Sequence, residues 1–205
     1  MLDFEAALMM LGDVEGWYSK TDLALLYRAM ELIPEDPIIV ELGCYAGRST
    51  FFMAEILSDM GKGHLWTVDI WDQTTFRIPP ALHCQQAKAL FLNALGWRNL
   101  LDFITVIEQP SVEAGKEWAG PNIDLLHVDA GHLYSEVKAD TESWIPHVKV
   151  NGYAIFHDYN NEYDCRAQQA VEDALEHRPD WMFLERNEFA EGELYGRAAI
   201  WKKTE

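Results

Sequence analysis

A chain of 205 residues holds one ordinary domain with a substantial core and is short for two, so a single domain over residues 1–205 is expected. A hydrophobic fraction of 49% with 24% charged residues excludes disorder, fibre and coiled coil. With 34 acidic against 16 basic residues, the formal charge of −18 repels polyanions, which excludes nucleic acid as a partner and favours neutral or cationic ones; the blander alternative is a surface charged only for solubility.

Cys44, Cys84 and Cys165 are an odd, widely spaced set without CxxC pairing, so neither a disulfide framework nor a zinc site is indicated, and a reducing compartment is expected. Met1 to Leu11 is apolar but carries Asp3 and Glu5 and lacks a basic start, unlike a secretory signal. No stretch approaches the ~20 apolar residues that cross a bilayer. The expected location is cytoplasmic, with no membrane partner; a homo-oligomer is left open.

Leu23, Leu26, Tyr27, Met30 and Ile33 recur at helical spacing behind Thr21 and Asp22 as candidate caps, and Pro34 ends the run. Ile38-Ile39-Val40-Glu41-Leu42 is a short β-branched run, as expected of a strand buried on both faces. A glycine-bearing turn leads into a helical stripe through Thr50, Met53, Ala54 and Leu57. The alternation continues with strand Leu65 to Val68, a helix through Ala87, Leu90, Phe91, Ala94 and Leu95, strand Phe103 to Ile107, and a short helix from Val112 to Trp118. Strand Ile123 to Val128, helix Tyr134 to Ile145 and strand Tyr153 to Phe156 follow. Ala167, Ala170, Val171, Ala174 and Leu175 mark a further amphipathic helix, and Trp181 to Leu184 with Tyr195 to Trp201 read as a hairpin through Gly192. The spacing predicts an α/β fold: a doubly wound, mostly parallel seven-stranded sheet with a C-terminal antiparallel hairpin strand. Gln73 to Pro80 reads as a long functional loop, with His83 and Cys84 beside it as candidate substrate contacts.

In such a sheet ligands bind outside the carboxyl ends of the strands, where strand order reverses. Four ends here carry Glu41/Gly43, Asp69, Asp129 and Asp158. The segment Glu41-Leu-Gly43-Cys-Tyr-Ala-Gly47-Arg-Ser49 has glycines four apart, which let backbone approach a ligand, and it lacks the GxGxxG of a dinucleotide site. Glu41 or nearby carbonyls can accept from the ammonium of an amino-acid tail, and Asp69 can accept from both hydroxyls of a ribose. The implied ligand is an adenosine with an amino-acid tail; the alternative is a packing turn with an acidic helix cap.

These segments, with Asp124-Leu-Leu-His-Val-Asp129-x-x-His132-x-Tyr134 and Gly152-Tyr-x-Ile-Phe-His-Asp158-Tyr159, resemble class I S-adenosylmethionine-dependent methyltransferases. More narrowly they are similar to the branch of macrocin-type sugar O-methyltransferases and cephalosporin hydroxylase-like proteins. The resemblance covers about Gly16 to Asp158. It implies S-adenosylmethionine as cofactor, bound through Glu41, Gly43, Gly47 and Ser49 at its methionine part, Asp69 at the ribose, and Trp71 and Ser111 near the adenine. Asp129 borders the same cofactor and, with Asp158, matches the two carboxylates that hold magnesium in metal-dependent members; His157 would be the third ligand of Mg2+ or another divalent cation. His132 matches the histidine assigned as general base. Gly16-Trp17-Tyr18-Ser19 resembles a segment that folds over the cofactor, making Trp17 and Tyr18 a lid within an N-terminal helical segment, residues 1–36.

The expected reaction is O-methylation of a hydroxyl on a small molecule such as a sugar or natural product, with or without a divalent ion to acidify that hydroxyl. A histidine beside Asp158 departs from the all-oxygen set magnesium prefers. Two alternatives stay open: a non-catalytic cofactor-binding or interaction protein of the same fold, and a metal-dependent oxygenase. For His132 the bland reading is a surface histidine opening a helix, and for Asp129 an N-cap. His127, in mid-strand, reads as structural, and Trp66, Trp71, Trp144 and Trp201 as packing residues, Trp71 with the adenine as its other reading.

Overall fold

The computed structural model describes residues 1–71, 84–160, 166–187 and 197–205. The loop expected over Gln73 to Pro80, His83, Cys165 and Gly192 lie outside them. Seven strands form one sheet: β1 (Ile38–Leu42), β2 (His64–Val68), β3 (Ile104–Ile107), β4 (Ile123–Val128), β5 (Val148–Phe156), β6 (Trp181–Arg186) and β7 (Ala199–Lys203). Their spatial order is β3-β2-β1-β4-β5-β7-β6, with the first five parallel and β7 antiparallel to both of its neighbours. This is the doubly wound, mostly parallel sheet that the spacing predicts. The chain leaves β1 toward β2 and β3 and then returns to β4 on β1's other side, so strand order reverses between β1 and β4.

Period-two alternation sorts each strand onto two covering layers. Ile39, Leu65, Ile104, Leu125 and Ile155 face α1 (Phe4–Leu11), α2 (Lys20–Leu32), α3 (Arg48–Met60) and α4 (Cys84–Trp97). Val40, Leu42, Val68, Leu126, Val128 and Phe156 face α5 (Ser111–Lys116), α6 (Tyr134–Trp144) and α7 (Ala167–Leu175). Each fully buried Leu, Ile or Phe contributes roughly 1.5–3 kcal/mol, so both layers are needed to offset the entropy of ordering the chain.

Two helix starts differ from the sequence reading. The cap of α2 is Ser19, not Thr21 or Asp22: Ser19 bonds the amide of Asp22 while the Asp22 carboxylate returns to the Ser19 amide, a closed capping box. The N-terminal apolar stretch, placed by the sequence within the helical segment 1–36 without bounds or cap of its own, is α1, capped by Asp3. Among the described residues no helix is long and apolar enough to cross a membrane.

Candidate active site

The site begins with a polar layer on the α2–α3 face of the sheet. Glu41 on β1 pairs in register with Thr67 on β2 and His127 on β4, all three fully buried. One Glu41 oxygen accepts from Ser49 Oγ (2.6 Å) and His127 Nδ1 (3.2 Å), the other from Thr50 Oγ1 (2.5 Å) and Thr67 Oγ1 (2.9 Å). A carboxylate has about four lone-pair sites, and these donors fill them. Glu41 is therefore no acceptor for a ligand's ammonium, as the sequence suggested, and the Ser49 hydroxyl likewise points into the protein. Together they hold the start of α3 onto the end of β1.

The glycines of this loop also differ from expectation in their reason. Gly43 has φ +82°, and a Cβ there would lie 2.2 Å from the Asp129 carbonyl oxygen. Gly47 has φ +99°, and its Cβ would lie 2.4 Å from the Phe51 ring. Protein packing, rather than room for a ligand, demands glycine at both. What the loop offers a ligand is the start of α3: Gly47 supplies no side-chain cap, so first-turn amides of a 13-residue helix stay directed at the cleft.

Asp69, at the end of β2, ties the loop down. Its Oδ2 accepts from the amides of Cys44 and Tyr45 (both 2.9 Å), and Oδ1 from the amide of Trp71 (2.7 Å). Burial raises its pKa, opposed by those three amides. Trp71 is buried beneath the loop, donating its indole N–H to the Tyr45 carbonyl (2.8 Å) and packing on Phe91. Tyr45, Trp71 and Asp158 all hold positive φ without being glycine, so left-handed backbone recurs at the ends of β1, β2 and β5.

Ser111, expected near an adenine, turns its hydroxyl to Asp140 (2.5 Å) and its carbonyl to the Trp144 indole (2.8 Å). Burial pushes the Asp140 carboxyl up to about 6, partly offset by the Ser111 hydroxyl and the Gly131 amide. Because the folded protein holds this proton more tightly than the unfolded chain, whose Asp titrates near ~3.9, stability falls as pH rises from about 4 through 6. Asp140→Asn should therefore stabilise by about 2 kcal/mol at pH 8, with the gain vanishing near pH 4, as read by urea unfolding at the two pH values. An equal effect at both would refute this origin.

The N-terminal segment is not a simple lid. Tyr18 is a core residue whose hydroxyl bonds His127 Nε2 (2.7 Å). Since Glu41 only accepts, His127 Nδ1 donates to it and Nε2 accepts from Tyr18, which fixes the tautomer. Trp17 is half-exposed and stacks on Tyr45 at 4.8 Å, and Arg48 clamps the segment through the carbonyls of Val14 and Tyr18.

Across the switch point, Asp129, His132 and Asp158 each present a ligand atom within 4.8 Å of the others. His132 is 46% exposed, with Nδ1 3.2 Å from Asp158 Oδ2. His157, expected as the third metal ligand, is not available: Nδ1 lies 3.0 Å from Asp129 Oδ1, and Nε2 faces Asp22 at 3.5 Å, a charge contact without hydrogen-bond alignment. His157 continues the alternation of Tyr153 and Ile155 toward α2, which puts its ring under the sheet edge. Burial alone would lower its pKa, but the carboxylates of Asp129, Asp158 and Asp22 hold it well above the usual histidine range. The His157 imidazole, with smaller contributions from His127 and His132, in turn holds Asp129 low against its own burial. His132 takes the place in the cluster that His157 was expected to fill.

These features were compared with known proteins. The chain is 30% identical over 125 residues to protein y4gI of Sinorhizobium fredii (strain NBRC 101917 / NGR234), covering 58% of this chain and 13% of that one, so it spans only a small part of that relative. The structure of the O-methyltransferase TomG from Streptomyces achromogenes, solved with SAM, is similar at TM-score 0.65 and 13% identity, covering 100% of this chain and 92% of that one. An rRNA methylase from Streptococcus thermophilus is similar at TM-score 0.65 and 12% identity, covering 93% and 100%. These likenesses show the Rossmann-like methyltransferase fold, and the family described as "Methyltransferase domain" matches residues 40–159, so the chain belongs to that methyltransferase family.

Proposed function

We propose that the chain is an S-adenosylmethionine-dependent O-methyltransferase acting on a small, neutral hydroxylated molecule such as a sugar or natural product. The observation that carries this reading is the placement, on opposite sides of one switch point, of an uncapped helix start beside Asp69 and of the His132–Asp158 pair beside Asp129. The residues fit the cofactor. First-turn amides of α3 suit the carboxylate of its amino-acid tail, and Asp69 Oδ1, with one amide partner, retains acceptor capacity for a ribose hydroxyl. S-adenosylmethionine would supply an electrophilic methyl group on a sulfonium.

The rest of the chemistry belongs to the protein. The Asp158 carboxylate, 3.2 Å from Nδ1, favours the tautomer protonated there and leaves the Nε2 lone pair of His132 for an acceptor hydroxyl. An acceptor hydroxyl would pass its proton to Nε2 as its oxygen takes the methyl group, the sulfonium's C–S bond breaking to leave S-adenosylhomocysteine, and Asp158 would stabilise the resulting imidazolium. The formal charge of −18 favours such an acceptor over the ribosomal RNA named for one structural neighbour. A close His–Asp pair at the cleft also favours catalysis over a purely binding role.

A second reading rests on the same three groups: Asp129, His132 and Asp158 would hold a divalent ion, which acidifies a hydroxyl bound to it. Ligation and proton transfer compete for His132, so the two readings separate in one experiment. The protein is incubated with S-adenosylmethionine and a panel of neutral sugars and phenols, and S-adenosylhomocysteine release is measured with and without EDTA. We expect release that EDTA leaves unchanged. Loss of release with EDTA, restored by Mg2+ or Mn2+, selects the metal-assisted reading, and absence of release from every acceptor counts against both.

A further inference from the structure

Two of the residues that brace the acceptor side from below, Asp22 and Asn187, lie outside the matched span 40–159. Asp22, in the first turn of α2, is fully buried. Its Oδ2 accepts from the Ser19 amide (3.0 Å) and hydroxyl (2.6 Å), and Oδ1 accepts from Asn187 Nδ2 (2.7 Å). Asn187 is itself held, since its Oδ1 accepts the Ala198 amide at 2.6 Å. The Asp22 carboxylate is thus fixed from the helix and from the end of the β6–β7 pair. It faces His157 Nε2 at 3.5 Å, and the other ring nitrogen bonds Asp129 at 3.0 Å. The ring plane is fixed as well, by stacking on Tyr18 at 4.2 Å and 21°.

With its plane set by Tyr18 and its in-plane angle by two carboxylates, the imidazole has one orientation. At 3% side-chain exposure it does not reach an acceptor itself. Its Nδ1 lies 3.7 Å from Asp158, the partner of His132, so one buried ring touches both carboxylates of the cluster. We propose that Asp22 and His157 are positioning residues: through the line Asn187–Asp22–His157, helix α2 sets the orientation of Asp129 and Asp158 and thereby of His132. The proposal rests on the acceptor-site reading above. In this arrangement helix α2 completes the acceptor side, while the glycine loop is held chiefly through Glu41 and Asp69. Groups held by such supporting contacts lose much of their activity when misplaced, about a hundredfold for a shift near 1 Å.

The test compares the full-length protein with Asp22→Asn, His157→Gln and the double variant, using two readouts that need no acceptor. Titration with S-adenosylhomocysteine is expected to give wild-type affinity in all three. Side-chain 1H–15N spectra are expected to show the His132 ring signals displaced in each single variant, and the double variant displaced no further than His157→Gln, as residues acting in series require. His132 signals at wild-type positions in folded His157→Gln or Asp22→Asn protein would overturn the proposal. Should Asp22→Asn fail to fold, Asn187→Ala, which leaves the Ser19 cap in place, carries the same comparison. With an acceptor from the release assay, kcat should fall about 10- to 100-fold while KM for S-adenosylmethionine is unchanged. An assay without any acceptor refutes the functional reading and leaves the ring signals to decide this one.

Discussion

Gly43→Ala is expected to destabilise the protein by roughly 3–5 kcal/mol and to abolish S-adenosylhomocysteine binding, read by urea unfolding and calorimetric titration. The cause is local and doubly determined. The residue sits at φ +82°, where an L side chain costs ~1–2 kcal/mol, and its Cβ would lie 2.2 Å from the Asp129 carbonyl and 2.7 Å from Ala130 Cα. Both are backbone atoms at the exit of β4, so no rotamer change relieves the overlap. Movement has to come from the loop or from β4, and the Asp129 amide is bonded to the Leu42 carbonyl at 2.8 Å. Either shift pulls apart the two halves of the cleft. A variant with wild-type stability and affinity would show that the close approach of β1 and β4 is not what shapes the site.

His132→Ala should slow methyl transfer by about 10²–10⁴-fold, the range of a lost general base, while leaving S-adenosylhomocysteine affinity unchanged. His132 is half-exposed in the loop before α6, and its charge contact with Asp158 is not part of the buried network. Little stability should be lost, so a stopped reaction in a folded, cofactor-binding protein isolates its role. Wild-type rates in the variant would remove His132 from the chemistry and leave Asp129 or Asp158 to take the proton.

Much of the fold was legible because the parallel strands read as short apolar runs, and four of the five run into Gly43, Asp69, Asp129 or His157. The order of those runs with helices between them allows few arrangements. Helix α1 was not legible in the same way: it is only eight residues long, and it is ordered by packing on α3, with Met9 and Met10 left exposed. In the site, positions were legible and directions were not. Glu41, Ser49 and Asp69 sit at or just beyond the carboxyl ends of β1 and β2, but Glu41 and Ser49 are committed to protein partners, Thr67 and His127 among them for the carboxylate, and Asp69 is turned to the loop amides. No local spacing announces those pairings.

The two histidines show what alternation alone can do. Residues 153, 155 and 157 share the α2 side of β5, so His157 was readable as a residue turned beneath the sheet edge rather than into the cleft. Tyr18 was not readable as core, because the partner that buries its hydroxyl is 109 residues away. Aromatic residues near a glycine suggest a cover; here one of the pair, Trp17, stacks on the loop and the other anchors it.

The central claim is that the β1–β4 switch point binds S-adenosylmethionine between the start of α3 and Asp69. Calorimetric titration of the purified protein with S-adenosylhomocysteine tests it most directly. One saturable site, lost in Asp69→Ala and kept in His132→Ala, is the result expected; no heat of binding to the wild-type protein, or equal binding by Asp69→Ala, would contradict it.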